Sequence, residues 1–67
     1  MLVLKSERLR QGLSQAKLAT RAGIHPDYIG RLENGKIYPY PGWRKRLAEA
    51  LGWPVEQAEK LFEEVKL

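Results

Sequence analysis

Apolar residues recur along this chain at helical spacing, and glycine and proline punctuate the stretches between them. Leu18, Ala19 and Ala22 fall on one face of a helix predicted over Gln15 to Ala22. Ile29 and Leu32 share a face of the next helix, which His25-Pro26 opens and Asn34-Gly35 stops, with Ile24 in the turn between the two. Those faces must meet. Ala19 is small where a crossing helix needs close approach, and Gly23 supplies the left-handed backbone of a sharp turn. Ser14 is the N-cap candidate of the first helix, while Pro26 fits a first helical position because it has no amide to lose.

Upstream, Leu4 to Gln11 reads as a short helix closed by Gly12. Downstream, "KIYPYPG" is too rich in proline for helix and reads as an irregular connection. A fourth helix is predicted over about Trp43 to Leu51, with Trp43, Leu47 and Leu51 spaced i, i+4, i+8, and Gly52 ends it. Pro54 starts a fifth, running to about Val65. Nothing alternates with period two over a strand's length, so the expected fold is all-α: one domain over residues 1–67, with a helix-turn-helix at about 15–34. The echo between "KLATRAGIHP" and "RLAEALGWP" is shared punctuation, too short for a repeat.

The fifth helix places Val55, Ala58, Leu61, Phe62 and Val65 on an apolar stripe wider than a short helix needs to cover its own core, with Trp53 and Leu67 at its two ends. Two uses are open. The stripe completes a single core, or its surplus forms a homodimer through Trp53, Leu61, Phe62 and Val65; the second is the expectation here.

Length and charge narrow the function classes. At 67 residues the chain has room for one small core and little else. Without cysteine there is no disulfide framework or Cys-based zinc site, and a single histidine makes no metal site, so no metal and no cofactor are expected. No apolar run approaches the roughly 20 residues of a membrane span. Charge appears within the first ten residues, unlike a signal peptide, so a soluble, unexported protein in the cytoplasm is expected. The net charge of +4 is unevenly spread. Residues 1 to 46 hold ten Lys/Arg against three acids (Glu7, Asp27 and Glu33), whereas residues 47 to 67 hold two against five. The basic portion should face a polyanion and the acidic tail should not.

The stretch "LSQAKLATRAGIHPDYIGRLENGK" resembles the helix-turn-helix of the lambda-repressor-like family, also called the XRE or Cro/CI type. The likeness runs from the Ser-Gln opening through Leu-Ala, Ala-Gly-Ile and Ile to the closing Leu-Glu-Asn-Gly-Lys. It extends upstream to Arg8 and more loosely downstream through "RLAEALGW". It implies a compact five-helix domain that binds operator DNA as a symmetric dimer, with the third helix as recognition helix in the major groove. The protein would then be nucleoid-associated. Three positions depart from the family pattern: His25-Pro26 stands where relatives carry Ser or Thr followed by polar residues, and Arg44 where the fourth helix carries an apolar one.

On that frame the candidate base readers are Asp27, Tyr28 and Arg31. Arginine offers two parallel donors that match guanine O6 and N7, though Arg31 can also simply be solvated or bound to phosphate, and an acid can accept from cytosine N4. Asp27 also simply complements a helix N-terminus, and Tyr28 can meet a thymine methyl, a phosphate or the turn. His25 is read as a cap. The resemblance places a phosphate contact on Gln15; Ser14, Lys17, Asn34, Lys36 and Tyr38 are further candidates for the DNA backbone, with Ser14 also readable as a cap and Lys17 as merely solvated. Gly30 removes a steric obstacle where a helix must approach a groove about 12 Å wide, or is simply a weak point in a short helix held by tertiary contacts. Trp43 is assigned to the core, while Tyr38 and Tyr40 stay open between core closure and backbone contact. The resemblance also implies that Arg8 and Glu33 form a partly buried structural ion pair that orients the third helix.

Ser14, His25 and Asp27 do not make a triad: they lie around a turn as helix caps, with no oxyanion site or phosphate loop beside them, and no enzyme is expected. The expected partner is a double-stranded operator, without a small-molecule ligand. The competing class is a protein-interaction module, such as a small antitoxin or scaffold partner, built on the same helices.

Overall fold

The computed structural model describes residues 1–66; Leu67, at one end of the apolar stripe, lies outside them. The order is α1 (Val3–Arg10), α2 (Gln15–Ala22), α3 (Pro26–Glu33), α4 (Pro41–Ala50) and a C-terminal 3-10 helix (Val55–Phe62). The fold is all-α. Each helix sends at least one side chain to a common centre, where Leu4, Leu18, Ile29, Leu32, Leu47 and Leu61 are fully buried. Burying each of these contributes about 1.5–3 kcal/mol, the main favourable term for so small a domain.

Caps and turns set the angle between α2 and α3. The Ser14 side chain accepts a hydrogen bond from the Lys17 amide at 3.0 Å and so starts α2. At the other end Gly23 takes φ +68°, and the Ile24 amide reaches back to the Ala19 carbonyl at 3.1 Å, closing the last turn. Ile24 is thereby driven into the core and α3 begins after two residues. Arg46 of α4 donates to the Gly23 carbonyl at 3.3 Å and ties the turn to the next helix.

Three elements differ in their bounds from the sequence expectation. The first helix runs one residue earlier at both ends, with Gln11 as its C-cap. The fourth begins at Pro41, two residues before Trp43, because proline opens a helix here as it does at Pro26. The last is wound with three residues per turn and stops at Phe62, short of Val65. Val55, Ala58 and Leu61 stand three apart, a spacing that stacks them in one column of a 3-10 helix and directs Ala58 and Leu61 into the core.

That winding corrects the assignment of Leu61 to a dimer interface: it is 0% exposed and belongs to the core of a single chain. Trp53 and Phe62 are partly buried and pack on the same core. Val65 is partly buried beyond the helix, its amide donating to the Met1 carbonyl at 2.9 Å, while the Val3 amide donates to Glu63 at 2.8 Å. These two bonds flank an isolated Leu2–Glu64 bridge that joins the two ends of the described chain.

A surface pair at the end of α1 makes the fold acid-sensitive. Glu7 accepts from Arg10 Nε at 3.0 Å and from Arg10 Nη2, and its carboxyl is held at about 2, below its ordinary 4.5, chiefly by these bonds and against the opposing effect of burial. The folded form therefore binds this proton less readily than the unfolded one. Its contribution is complete above pH 4.5 and is lost as pH falls towards 2. Glu7→Gln is expected to flatten the decline in melting temperature across that window; an unaltered acid profile in thermal scans contradicts this.

Candidate nucleic-acid interface

α3 has an anchored side and an open side, and their separation follows from its sequence. Ile29, Leu32 and Glu33 are buried, so Asp27, Arg31 and Asn34, spaced i, i+4 and i+7, form an outward row of exposed residues. Tyr28 and Gly30 lie on the two shoulders of that row. Tyr28 is 41% exposed and leans towards α4; Gly30 is partly covered and faces α2.

The anchor is an ion pair. Arg8 of α1 donates from Nε to Glu33 Oε2 at 2.6 Å and from Nη2 to Oε1 at 3.1 Å, and its Nη1 donates to the Leu13 carbonyl at 2.8 Å. Both side chains are removed from water, at 8% and 1% exposure. Gln15 Nε2 also donates to Glu33 Oε1, at 3.1 Å, so the first residue of α2 is held by the last residue of α3. Sequence reasoning assigned the Gln15 side chain to phosphate alone and missed this bond. A glutamine opening one helix and a buried glutamate closing the next is the signal for it.

Gly30 does not face empty space. A methyl group there would meet the Gln15 side-chain amide at 3.6 Å, an ordinary contact. Steric fit within the protein therefore does not demand glycine. Gly30→Ala is expected to raise stability by up to about 1 kcal/mol through helix propensity. If the bare backbone serves a groove, duplex affinity falls in the same variant; unchanged affinity beside a raised melting temperature removes the groove explanation.

His25 caps α3 through Nδ1, which accepts from the Asp27 amide at 3.2 Å. The Asp27 carboxylate remains mostly exposed, 3.8 Å from the same ring nitrogen. Ser14 and Gln15 sit at the exposed start of α2, with Gln15 reaching α3, whereas Lys17 lies on the outer face of α2 with Thr20 and Arg21. Asn34 is the C-cap of α3, and Lys36 follows it exposed, its amide bonded to the Arg31 carbonyl at 2.8 Å.

The segment after α3 carries an aromatic row. Tyr28 stacks on Trp43 at 5.3 Å between centroids and 28° between planes. Tyr40 meets Trp43 edge-on at 5.1 Å, and Tyr38 meets Tyr40 at 5.7 Å. Arg44 lies over the Tyr38 ring at 5.5 Å, donates to its hydroxyl at 3.3 Å, and reaches Glu59 at 3.7 Å. Arg44 thus links the loop to the C-terminal helix. Trp43 packs on the core as expected, but it also backs a candidate base reader, a connection the helical spacing alone does not reveal.

No group of three or more His, Cys, Asp or Glu among the described residues is arranged to hold a metal ion, and none of the described helices is long and apolar enough to cross a membrane. Two short helices crossing at a glycine turn, with one face of the second left open, is an arrangement suited to lying in a DNA groove. No solved structure matches the chain. A family model described as a helix-turn-helix domain matches residues 2–61, from the residue before α1 into the last helix. With nearly its whole length covered by that match and its α2 and α3 meeting across the Gly23 turn, the chain belongs to the helix-turn-helix domain family.

Proposed function

We propose that this protein is a sequence-specific double-stranded DNA-binding transcriptional regulator of the lambda-repressor-like kind, a repressor that lays α3 in the major groove of a palindromic operator. The observation that carries the reading is the outward row Asp27, Arg31 and Asn34, on a helix whose opposite side is fixed by Ile29, Leu32 and the buried Glu33. Asp27, Tyr28 and Arg31 are the proposed base readers. Gln15, Ser14, Asn34, Lys36 and Tyr38 border them as phosphate contacts, and Lys17, on the outer face of α2, has the weakest claim among these. Seven of the ten basic residues in the first 46 are left after Arg8, Arg10 and Arg44 are paired internally, enough to favour a polyanion.

A homodimer is part of the proposal, with two copies of α3 about 34 Å apart on one face of the duplex. With Leu61 in the core, its contacts fall to Trp53, Phe62 and Val65, beside the exposed Val55. We assign no catalysis, cofactor or small-molecule ligand, and a cytoplasmic, nucleoid-associated location follows from the DNA partner.

Selection of genomic fragments by the purified protein tests the reading. Enriched fragments should share an inverted repeat, and affinity should fall steeply and linearly with the logarithm of salt concentration. Tight capture of one protein with no retained DNA would favour the interaction-module alternative. Sedimentation at tens of micromolar tests the dimer separately, since a monomer that binds half-sites without cooperativity removes the dimer and keeps the reading helix.

A further inference from the structure

Tyr28 is the one proposed base reader whose side chain rests on another helix. Asp27 and Arg31 project from the open row of α3, but the Tyr28 ring lies against the Trp43 indole, nearly parallel to it, with the His25 ring edge-on at 6.1 Å. Trp43 is itself wedged: it packs on the core below and takes the edge of Tyr40 from the side. A tyrosine has two soft side-chain torsions, and a stack of this kind favours one rotamer over its competitors by several-fold.

The stacking also selects which part of Tyr28 faces outward. One ring face is covered by the indole, and with 41% of the residue exposed, the uncovered part borders the Asp27 and Arg31 row. An apolar ring edge fixed beside a reading row has a natural counterpart in the major groove, the C5 methyl of thymine, which is the one apolar group a base pair presents there. Phosphate is the less apt partner, since the buried face and the rigid backing add nothing to a hydroxyl contact with a flexible backbone oxygen.

We infer that Trp43 is a positioning residue of the interface: by stacking on Tyr28 it holds the tyrosine ring against a thymine methyl, and so sets the preference at one base pair near the N-terminal end of α3. The inference rests on the DNA-reading proposal. It adds a specificity determinant on α4, outside the helix-turn-helix, and names the chemical group that it serves.

The test uses the operator selected by the wild-type protein, with each thymine replaced in turn by deoxyuridine, which lacks only the methyl group. For the wild type, one thymine per half-site should show a loss of about fourfold, the effect of leaving one methyl unburied. Trp43→Leu should abolish that discrimination while the other positions keep their preferences, and Trp43→Phe should restore it. Tyr28→Leu, which leaves Trp43 in place, should change preference at the same thymine, and Tyr28→Phe should not. Binding-competent protein is titrated for each variant, so partial unfolding lowers all operators equally and leaves the ratio untouched. A wild type that selects an operator but ignores every methyl overturns the inference alone, as does a Trp43→Leu variant with unchanged discrimination. A wild type that selects no sequence overturns the DNA-reading proposal and this inference with it.

Discussion

Arg8→Ala is expected to leave the domain largely unfolded at room temperature. The substitution removes two hydrogen bonds to Glu33 and one to the Leu13 carbonyl, and leaves a carboxylate of 1% exposure with only the Gln15 amide for company. Breaking a buried pair by deleting one partner costs about 3–5 kcal/mol, because the remaining charge stays desolvated. The net stability of a single-core chain of this size, once the entropy of ordering it is subtracted, is only about 3–5 kcal/mol. The two quantities meet, so the loss consumes most or all of the stability. Urea or thermal unfolding followed by circular dichroism measures it, and a melting temperature within a degree or two of the wild type refutes the assignment. A double variant, Arg8→Met with Glu33→Leu, separates charge from shape. It should recover much of the loss, since apolar residues of similar volume replace buried pairs at little cost. Recovered folding with weakened duplex binding would further show that the pair orients α3 and Gln15 besides holding them.

The sequence was most informative where one residue's chemistry sufficed. α2 has the expected limits because Ser14 caps it and Gly23 turns out of it, each decided by local geometry. The start of α4 is hidden in the sequence because it falls within "KIYPYPG", whose prolines read as breakers. Pro41 occupies a first turn, where a missing amide costs nothing, and Tyr40 provides no side-chain cap to advertise the boundary. The last helix was harder still. Offsets of 0, 3, 6, 7 and 10 form a broad stripe at 3.6 residues per turn, but at three per turn Val55, Ala58 and Leu61 align and Phe62 falls to one side. Leu61, counted at 3.6 residues per turn among a surplus for a partner, lies in the core. Periodicity alone cannot choose between the two windings, because both keep i and i+3 together.

The interface shows the same division. The exposed row on α3 is legible from spacing, since the buried face fixes the open one. The contacts that position it are not, as they join residues far apart in the chain: Gln15 with Glu33, Tyr28 with Trp43, Arg46 with Gly23. Each depends on where a neighbouring helix lies. Composition hints at the aromatic row, with Tyr28, Tyr38, Tyr40 and Trp43 in a short span, without saying which ring meets which.

Arg31→Ala is expected to reduce the preference for the selected operator by about fivefold to 150-fold while leaving the fold intact, the range that one bidentate arginine–guanine pair provides. The expectation follows from what Arg31 lacks. Asp27 precedes it by four residues, a spacing that permits an ion pair, yet among the described residues no carboxylate lies within salt-bridge distance of its guanidinium. Its side chain is exposed on a helix fixed from behind by Leu32 and Glu33, so the guanidinium has a rigid base and no internal partner to surrender on binding. Stability should not change, because nothing in the protein is left unpaired. Two measurements distinguish base reading from a phosphate contact. A base reader loses preference at one position of the operator and keeps most of its affinity for random duplex. A phosphate contact weakens binding to all sequences alike and lowers the salt slope by about one. Arg31→Lys sharpens the distinction, since lysine keeps the charge but not the paired donors: it should preserve random-duplex affinity and recover only part of the preference. Uniform weakening in Arg31→Ala, fully repaired by Arg31→Lys, would move Arg31 from the bases to the backbone and leave Asp27 and Tyr28 to carry the specificity.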